Sequence, residues 1–294
     1  MNFFEKHPNP ILLIGITGTA LSAIFVKYSD APSMVTATYR LLWTVLLMTP
    51  VIVFNKKFRT ELTSTDKKTV FLCTVSGVFL ALHFTLWFES LNHTSVASST
   101  AIVCTEVIWV ALGFRIFLRG TISAKAWISI FITVIGSLII AMADASAGDS
   151  NLIGDILALA AAVFAAVYTL IGRYARESMT TTVYTYIVYF FCALSLCAAL
   201  ITSRTSFTGY GPSAIVVGLL LCVFSTLLGH SVFSWGLKFM SPAFISASKL
   251  CQPAVAAVFA FFLFGEVPSI PLIIGGIVTI LGVFCYSKLE ASQT

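Results

Sequence analysis

The sequence predicts an all-α membrane protein of ten transmembrane helices arranged as an inverted 5+5 repeat. Three observations predict it: an extreme composition, ten long apolar runs, and a gapless internal register. Hydrophobic types make up 58% of the 294 residues and charged types 10%. The mean hydropathy is +0.98, whereas a soluble domain carries about 25% charged residues. There is too little charge to cover a water-facing surface. A soluble globular enzyme, a nucleic-acid-binding protein and a disordered chain are excluded as first readings.

A helix needs about 20 mostly apolar residues to cross the hydrocarbon layer. Ten segments qualify, at roughly 10–27, 33–54, 69–91, 94–118, 122–143, 152–172, 180–202, 212–237, 241–264 and 269–288. The connectors are short and hold most of the charge. A transmembrane β-barrel would show alternating segments of about ten residues. The continuous runs Ile130–Met142 and Val255–Phe264 instead call for helices, which satisfy their own backbone in lipid. The first segment is long for the apolar part of a signal peptide and has only Lys6 before it, so it is read as a span.

Lys and Arg in the connectors set the orientation. With the N-terminus inside, 13 of the 17 basic residues fall in cytoplasmic segments, and the 56–68 connector is the richest. Only Lys27 and Arg204 fall outside, and Arg40 and Lys249 lie within spans. The expectation is a multi-pass protein of the plasma (inner) membrane with both termini cytoplasmic. The net charge of +5 is then a topology feature and not a nucleic-acid footprint. All seven cysteines lie within spans, where Cys behaves as a small hydrophobe. No disulfide, metal site or cofactor is expected, because no ligand spacing is present.

A shift of 146 residues lays the first five spans onto the last five without a gap. The halves are 1–146 and 147–294. Individual matches are sparse and densest after residue 94: Ser95 falls on Ser241, Ala111 on Ala257, Thr133 on Thr279 and Gly136 on Gly282. Five is odd, so the second half enters from the opposite side of the membrane. Secondary transporters are commonly built on such inverted repeats, with the substrate near the midplane between them.

The stretch Ser234–Ala243 (SWGLKFMSPA), the pair Gln252 and Pro253 followed by Phe261–Glu266 (FFLFGE), and the counterpart Leu91–Ser95 (LNHTS) carry a family resemblance. With five helices per half, the chain resembles the drug/metabolite transporter superfamily, in its EamA-like branch. The resemblance spans essentially the whole chain. It implies a transporter, mostly an exporter of amino acids, metabolites or drugs, and not an enzyme. The chain departs from the family pattern in places. Gln252 stands where many relatives carry Glu, and the first half has Val107 for the Pro and Gly120 for the second Glu.

Ionisable residues within the membrane are expensive and are functional candidates by default. Glu106 lies at the middle of span 4 and Lys249 in the first half of span 9. The shift maps Glu106 onto Gln252 and Val103 onto Lys249. Glu106, Lys249 and Gln252 facing one cavity would hold the two ends of a zwitterion such as an amino acid. The competing reading is a direct Glu106–Lys249 ion pair that locks the halves together, and an ion pair that breaks to admit substrate is also a gate.

His83 and His230 are almost symmetry mates and suit proton coupling. Packing by hydrogen bonds is the bland alternative for each. Trp87, at i+4 from His83, Trp109, at i+3 from Glu106, Trp235 and Tyr168 are the candidate aromatic walls, whose faces attract cations. Packing and interfacial belts are their alternative. Arg40 is read as snorkelling outward or holding a carbonyl or Glu89. Glu266 is read as a helix cap.

The resulting expectation is alternating-access transport of a small organic solute across the lipid bilayer. Amino acids or related metabolites lead, export is favoured over import, and Glu106 with the histidines would couple it to protons. The alternative is uncoupled or exchange transport of cationic drugs or amines. A membrane-embedded enzyme is disfavoured, since no Ser/His/Asp or His-Glu-His set stands at helical spacing.

Overall fold

A computed structural model describes residues 8–26, 28–93, 99, 102–103, 105–144, 152–264 and 269–291. Among them there are helices and no strands. In chain order they are α1 (Pro8–Val26), α2 (Ser33–Phe54), α3 (Lys56–Ser64), α4 (Lys67–His93), α5 (Glu106–Phe117), α6 (Ala124–Asp144) and α7 (Leu152–Ala175). Then come α8 (Thr181–Thr202) and α9 (Gly211–Leu220), a π-helical stretch (Leu221–His230), α10 (Ser231–Gly236), α11 (Pro242–Lys249), α12 (Gln252–Phe264) and α13 (Ile270–Ala291). Six described segments are long and apolar enough to cross a membrane: Ser33–Phe54, Lys67–Ser90, Leu152–Ala175, Thr181–Thr202, Gly211–Gly236 and Pro242–Leu263. Shorter apolar helices stand at Pro10–Val26, Ala124–Ile139 and Ile273–Leu289. The fourth run is represented by α5.

Polar side chains open the helices where the sequence places them. Asp66 Oδ1 accepts the Thr69 N–H at 3.0 Å ahead of α4, and Thr180 does the same for Val183 at the start of α8. Ser241 caps α11, and Pro242 follows in its first turn. Each such cap is worth about 1 kcal/mol. The connector after span 2 is not a plain loop. Asn55 accepts the N–H groups of Lys57 and Phe58 and starts the exposed helix α3. Glu61 on that helix accepts from the Thr180 N–H at 2.6 Å and hydroxyl at 2.9 Å, which ties it to the start of α8.

Large apolar side chains cover the outside; Ile201 and Phe262 are each 77% exposed. In water that surface would collapse, whereas lipid accepts it. The interior holds two clusters. One joins α2, α4, α7 and α8 through Leu41, Leu80, Tyr168, Tyr184 and Leu196. The other joins α1, α5, α6, α10, α11 and α13 through Leu12, Val107, Ile130, Phe233, Ile245 and Tyr286.

The largest helix contacts come in related pairs. α4 packs on α7 and α1 on the π-helical stretch; α8 packs on α4 and α2 on α9; α5 packs on α7 and α12 on α1. Each second pair is the first with every span replaced by its partner 146 residues away. α6 with α13, α2 with α8 and α5 with α11 pack as self-related pairs. The α6–α13 seam shows it in atoms. A Cβ on Gly136 would lie 2.6 Å from the Thr279 backbone N, and one on Gly282 would lie 2.9 Å from the Thr133 backbone N. Small residues permit this close approach.

Six cysteines are free among the described residues. Cys104 and Glu266 lie outside the described residues, so the cap expected of Glu266 does too. Glu89 sits 3.1 Å from His93, one turn along α4. Arg40 does not snorkel; it points inward and is 2% exposed.

Candidate functional site

Glu106 is the first residue of α5, and Lys249 is the last of α11. An anion is favoured at a helix N-terminus and a cation at a C-terminus, so both charges sit where the backbone helps them. Their side chains meet at 2.9 Å and are only 10% and 16% exposed. The same Glu106 oxygen, Oε1, accepts the Thr169 hydroxyl at 3.1 Å from α7 and the Ser246 hydroxyl at 3.1 Å from α11. Among the described residues none donates to Oε2. The Lys249 ammonium also lies 5.6 Å from the centre of the Phe233 ring, a cation–π distance. The junction therefore draws on four segments, α5, α7, α10 and α11.

Span 9 breaks beside Lys249. Leu250 and Cys251 form tight three-residue bonds to Ala247 and Ser248, and helix resumes at Gln252. Pro253 has no N–H to extend the ladder through this point. Gln252 is half-buried, and its side chain makes no hydrogen bond among the described residues.

A second group of polar and aromatic side chains lies between α4, α7 and the π-helical stretch. His83 Nδ1 lies 3.0 Å from the Ala161 carbonyl. A carbonyl only accepts, so Nδ1 carries the proton and neutral His83 keeps a lone pair on Nε2. The Trp87 ring stacks against His83 at 6.0 Å, and the buried Trp87 Nε1 has no partner among the described residues. His230 meets the Phe84 ring edge-on at 5.6 Å and the Tyr168 ring at 6.3 Å. The Tyr168 hydroxyl pairs with that of Ser234 at 3.1 Å. Phe84 and His230 are 146 residues apart, so a pair of repeat mates is in direct contact.

Of the expected site residues, Glu106 and Lys249 touch directly, and Gln252 follows the break. His83, Trp87, Tyr168 and His230 form the neighbouring group. Trp109 is 38% exposed on α5, and Trp235 packs on Phe239 at 4.7 Å; neither touches these groups in the described contacts. Thr169, Ser246 and Phe233 went unnoticed in the sequence. Ser246, one turn before Lys249, was the available signal.

The sequence model of the EamA-like transporter family matches residues 9–142 and again residues 152–288. The chain belongs to the EamA-like transporter family. Several relatives of this EamA-family chain are named uncharacterized transporters. One from Clostridium kluyveri is 26% identical over 247 residues, covering 82% of this chain and 79% of its own. One from Archaeoglobus fulgidus is 23% identical over 217 residues, covering 71% and 72%. The transporter YxxF of Bacillus subtilis is 26% identical over 243 residues, covering 80% and 74%. A solved structure titled only as the crystal structure of a protein superposes with a TM-score of 0.79 at 13% identity, covering 97% of this chain and 99% of the other. That likeness concerns the fold. The chain is thus a multi-pass EamA-family membrane transporter.

Proposed function

We propose that this EamA-family chain is a ten-span inverted repeat, with halves 1–146 and 147–294, that exports amino acids or related metabolites by alternating access. The observation that carries the reading is the convergence of Lys249, Thr169 and Ser246 on one Glu106 oxygen at the meeting of two helix ends. Discontinuous helices aim their termini at charged substrate groups in transporters of this general design. The pair is neutral while closed. A substrate ammonium replaces Lys249 at Glu106, and the freed Lys249 takes a negative group. Opening the pair is thus coupled to occupancy. Gln252, Trp87, His83, His230 and Tyr168 line the same region in this reading, and Trp109 and Trp235 guard its approaches.

Coupling to protons rests on Glu106, His83 and His230. Protonated Glu106 releases its hold on Lys249, which makes proton and substrate competitors for one carboxylate. Competition of that kind is what exchange of an inward proton for an outward solute requires. Both termini are cytoplasmic and the membrane is the plasma (inner) membrane, on the 13-to-2 split of basic connector residues.

The test uses the purified chain in proteoliposomes. A thermal-shift screen against amino acids, amines and sugars supplies the solute. Uptake should respond to an imposed pH gradient, and Glu106→Gln should abolish that response. Transport that ignores the gradient while binding stays intact overturns the coupling. Binding that survives in both Glu106→Ala and Lys249→Ala overturns the site.

A further inference from the structure

The Glu106–Lys249 pair balances itself, whereas Arg40 has no counter-charge among the described residues. Arg40 lies on α2 and is 2% exposed. Its Nε donates to the Thr226 hydroxyl at 2.6 Å. Its guanidinium carbon sits 4.6 Å from the centre of the Phe84 ring. Its Nη2 is buried and has no partner among the described residues. The ion pairs among the described residues are Glu89–His93 and Glu106–Lys249, and neither includes Arg40. An arginine does not lose its proton in a protein, so this charge cannot be discarded by titration. An uncompensated buried charge is among the costliest features a membrane interior can hold.

The surroundings are built and not accidental. Thr226 belongs to the π-helical stretch, a rare feature that is frequent at functional sites. Its hydroxyl bonds back to the Leu221 carbonyl at 3.4 Å, five residues earlier, which leaves its lone pairs for Arg40. The Ser231 hydroxyl reaches the Thr226 carbonyl at 3.1 Å, and the Tyr189 hydroxyl pairs with Ser231 at 3.1 Å. Arg40 is thereby held by its Nε side, with its outer nitrogens left for another group. Phe84 under the guanidinium also touches His230 and adjoins His83. From Phe84 the contacts run through His230 to Tyr168, the residue before Thr169, which donates to Glu106. Together the three charges sum to one excess positive charge.

We infer that Arg40 is the anion-binding residue of the transport site, and that the transported solutes carry a carboxylate. This rests on reading the Glu106 junction as the substrate site. Guanidinium and carboxylate match in planar two-bond geometry, and the free Nη edge of Arg40 offers that geometry. An α-amino acid then spans the site with its carboxylate shared by Arg40 and the freed Lys249 and its ammonium at Glu106. Amines without an acid group would add a second uncompensated cation and are disfavoured.

The test is thermal unfolding of the full chain in detergent micelles with matched probes: L-phenylalanine, L-phenylalaninamide, phenethylamine and 3-phenylpropionate, with the same series built on leucine. The acids should raise the midpoint, and the amide and amine should not. This comparison needs no variant, so it stands even if Arg40→Gln does not fold. Where it folds, Arg40→Gln should weaken acid binding at least tenfold, and Arg40→Lys should keep part of it.

The inference falls if the amides or amines bind as well as the acids. It also falls if no acid shifts the unaltered chain, if inorganic phosphate or chloride alone does so, or if Arg40→Gln binds acids normally. Acid binding lost in Arg40→Gln but kept in Glu106→Gln would uphold Arg40 and remove the ion pair from the binding site. Amine binding lost only in Glu106→Gln would do the reverse.

Discussion

The ion pair between Glu106 and Lys249 decides how the centre of this protein responds to substitution. Removing one partner leaves a buried charge alone, a loss of about 3 kcal/mol or more. Removing both leaves two neutral groups. Glu106→Gln and Lys249→Met should therefore each lower the thermal midpoint in detergent more than the double variant does. A double variant that loses the sum of the two would show that the charges do not interact. Both residues were legible in the sequence because charge within spans is rare. Their partners were not: Thr169 and Ser246 are ordinary span hydroxyls until the fold aims them at one oxygen. Arg40 misled for a physical reason. Its distance from a span end suits snorkelling, but the Thr226 hydroxyl and the Phe84 ring lie inward, and a directed hydrogen bond with a ring beneath it holds the side chain inside.

At the scale of elements, seam contacts are set by backbone approach. A Cβ on Gly136 would meet backbone atoms of α13, Thr279 N at 2.6 Å and the Gly275 carbonyl at 2.8 Å. Backbone cannot step aside as a side chain can, so Gly136→Ala should destabilise by about 1–3 kcal/mol. Gly276→Ala is the control, because its new Cβ would lie 3.4 Å from Ala254 Cβ, an ordinary contact. Equal midpoint losses in the two would contradict the seam. The alignment of Thr133 with Thr279 and of Gly136 with Gly282 already stood in the sequence. Helix α3 did not, because a nine-residue charged helix has no apolar run to announce it. The π-helical stretch was equally hidden, since its widened turns keep the apolar character of the helices on either side.

Among the described helices, the larger packing contacts recur when each span is replaced by its mate 146 residues on. The 146-residue register of the apolar runs was visible in the sequence; which runs pack together was not. Apart from α3, the described helices correspond to those runs, with α5 covering the second half of the fourth. Orientation is open to direct measurement. Alkaline phosphatase fused after Ser64 should be inactive and fused after Thr205 active, with a fluorescent reporter giving the opposite pattern. The reverse result would place both termini outside.

The contact between Phe84 and His230 has a larger consequence. In the proposed inverted repeat, mates touch only where the twofold axis passes, so the chain would there be a near-image of itself. Were the halves identical, the state open to one side would be the mirror of the state open to the other, and the two would be equally stable. The protein would then have no preferred resting side. Glu106 opposite Gln252, Lys249 opposite Val103 and Phe84 opposite His230 remove that degeneracy. Whatever sense of direction this transporter has is held in the positions where its two halves disagree.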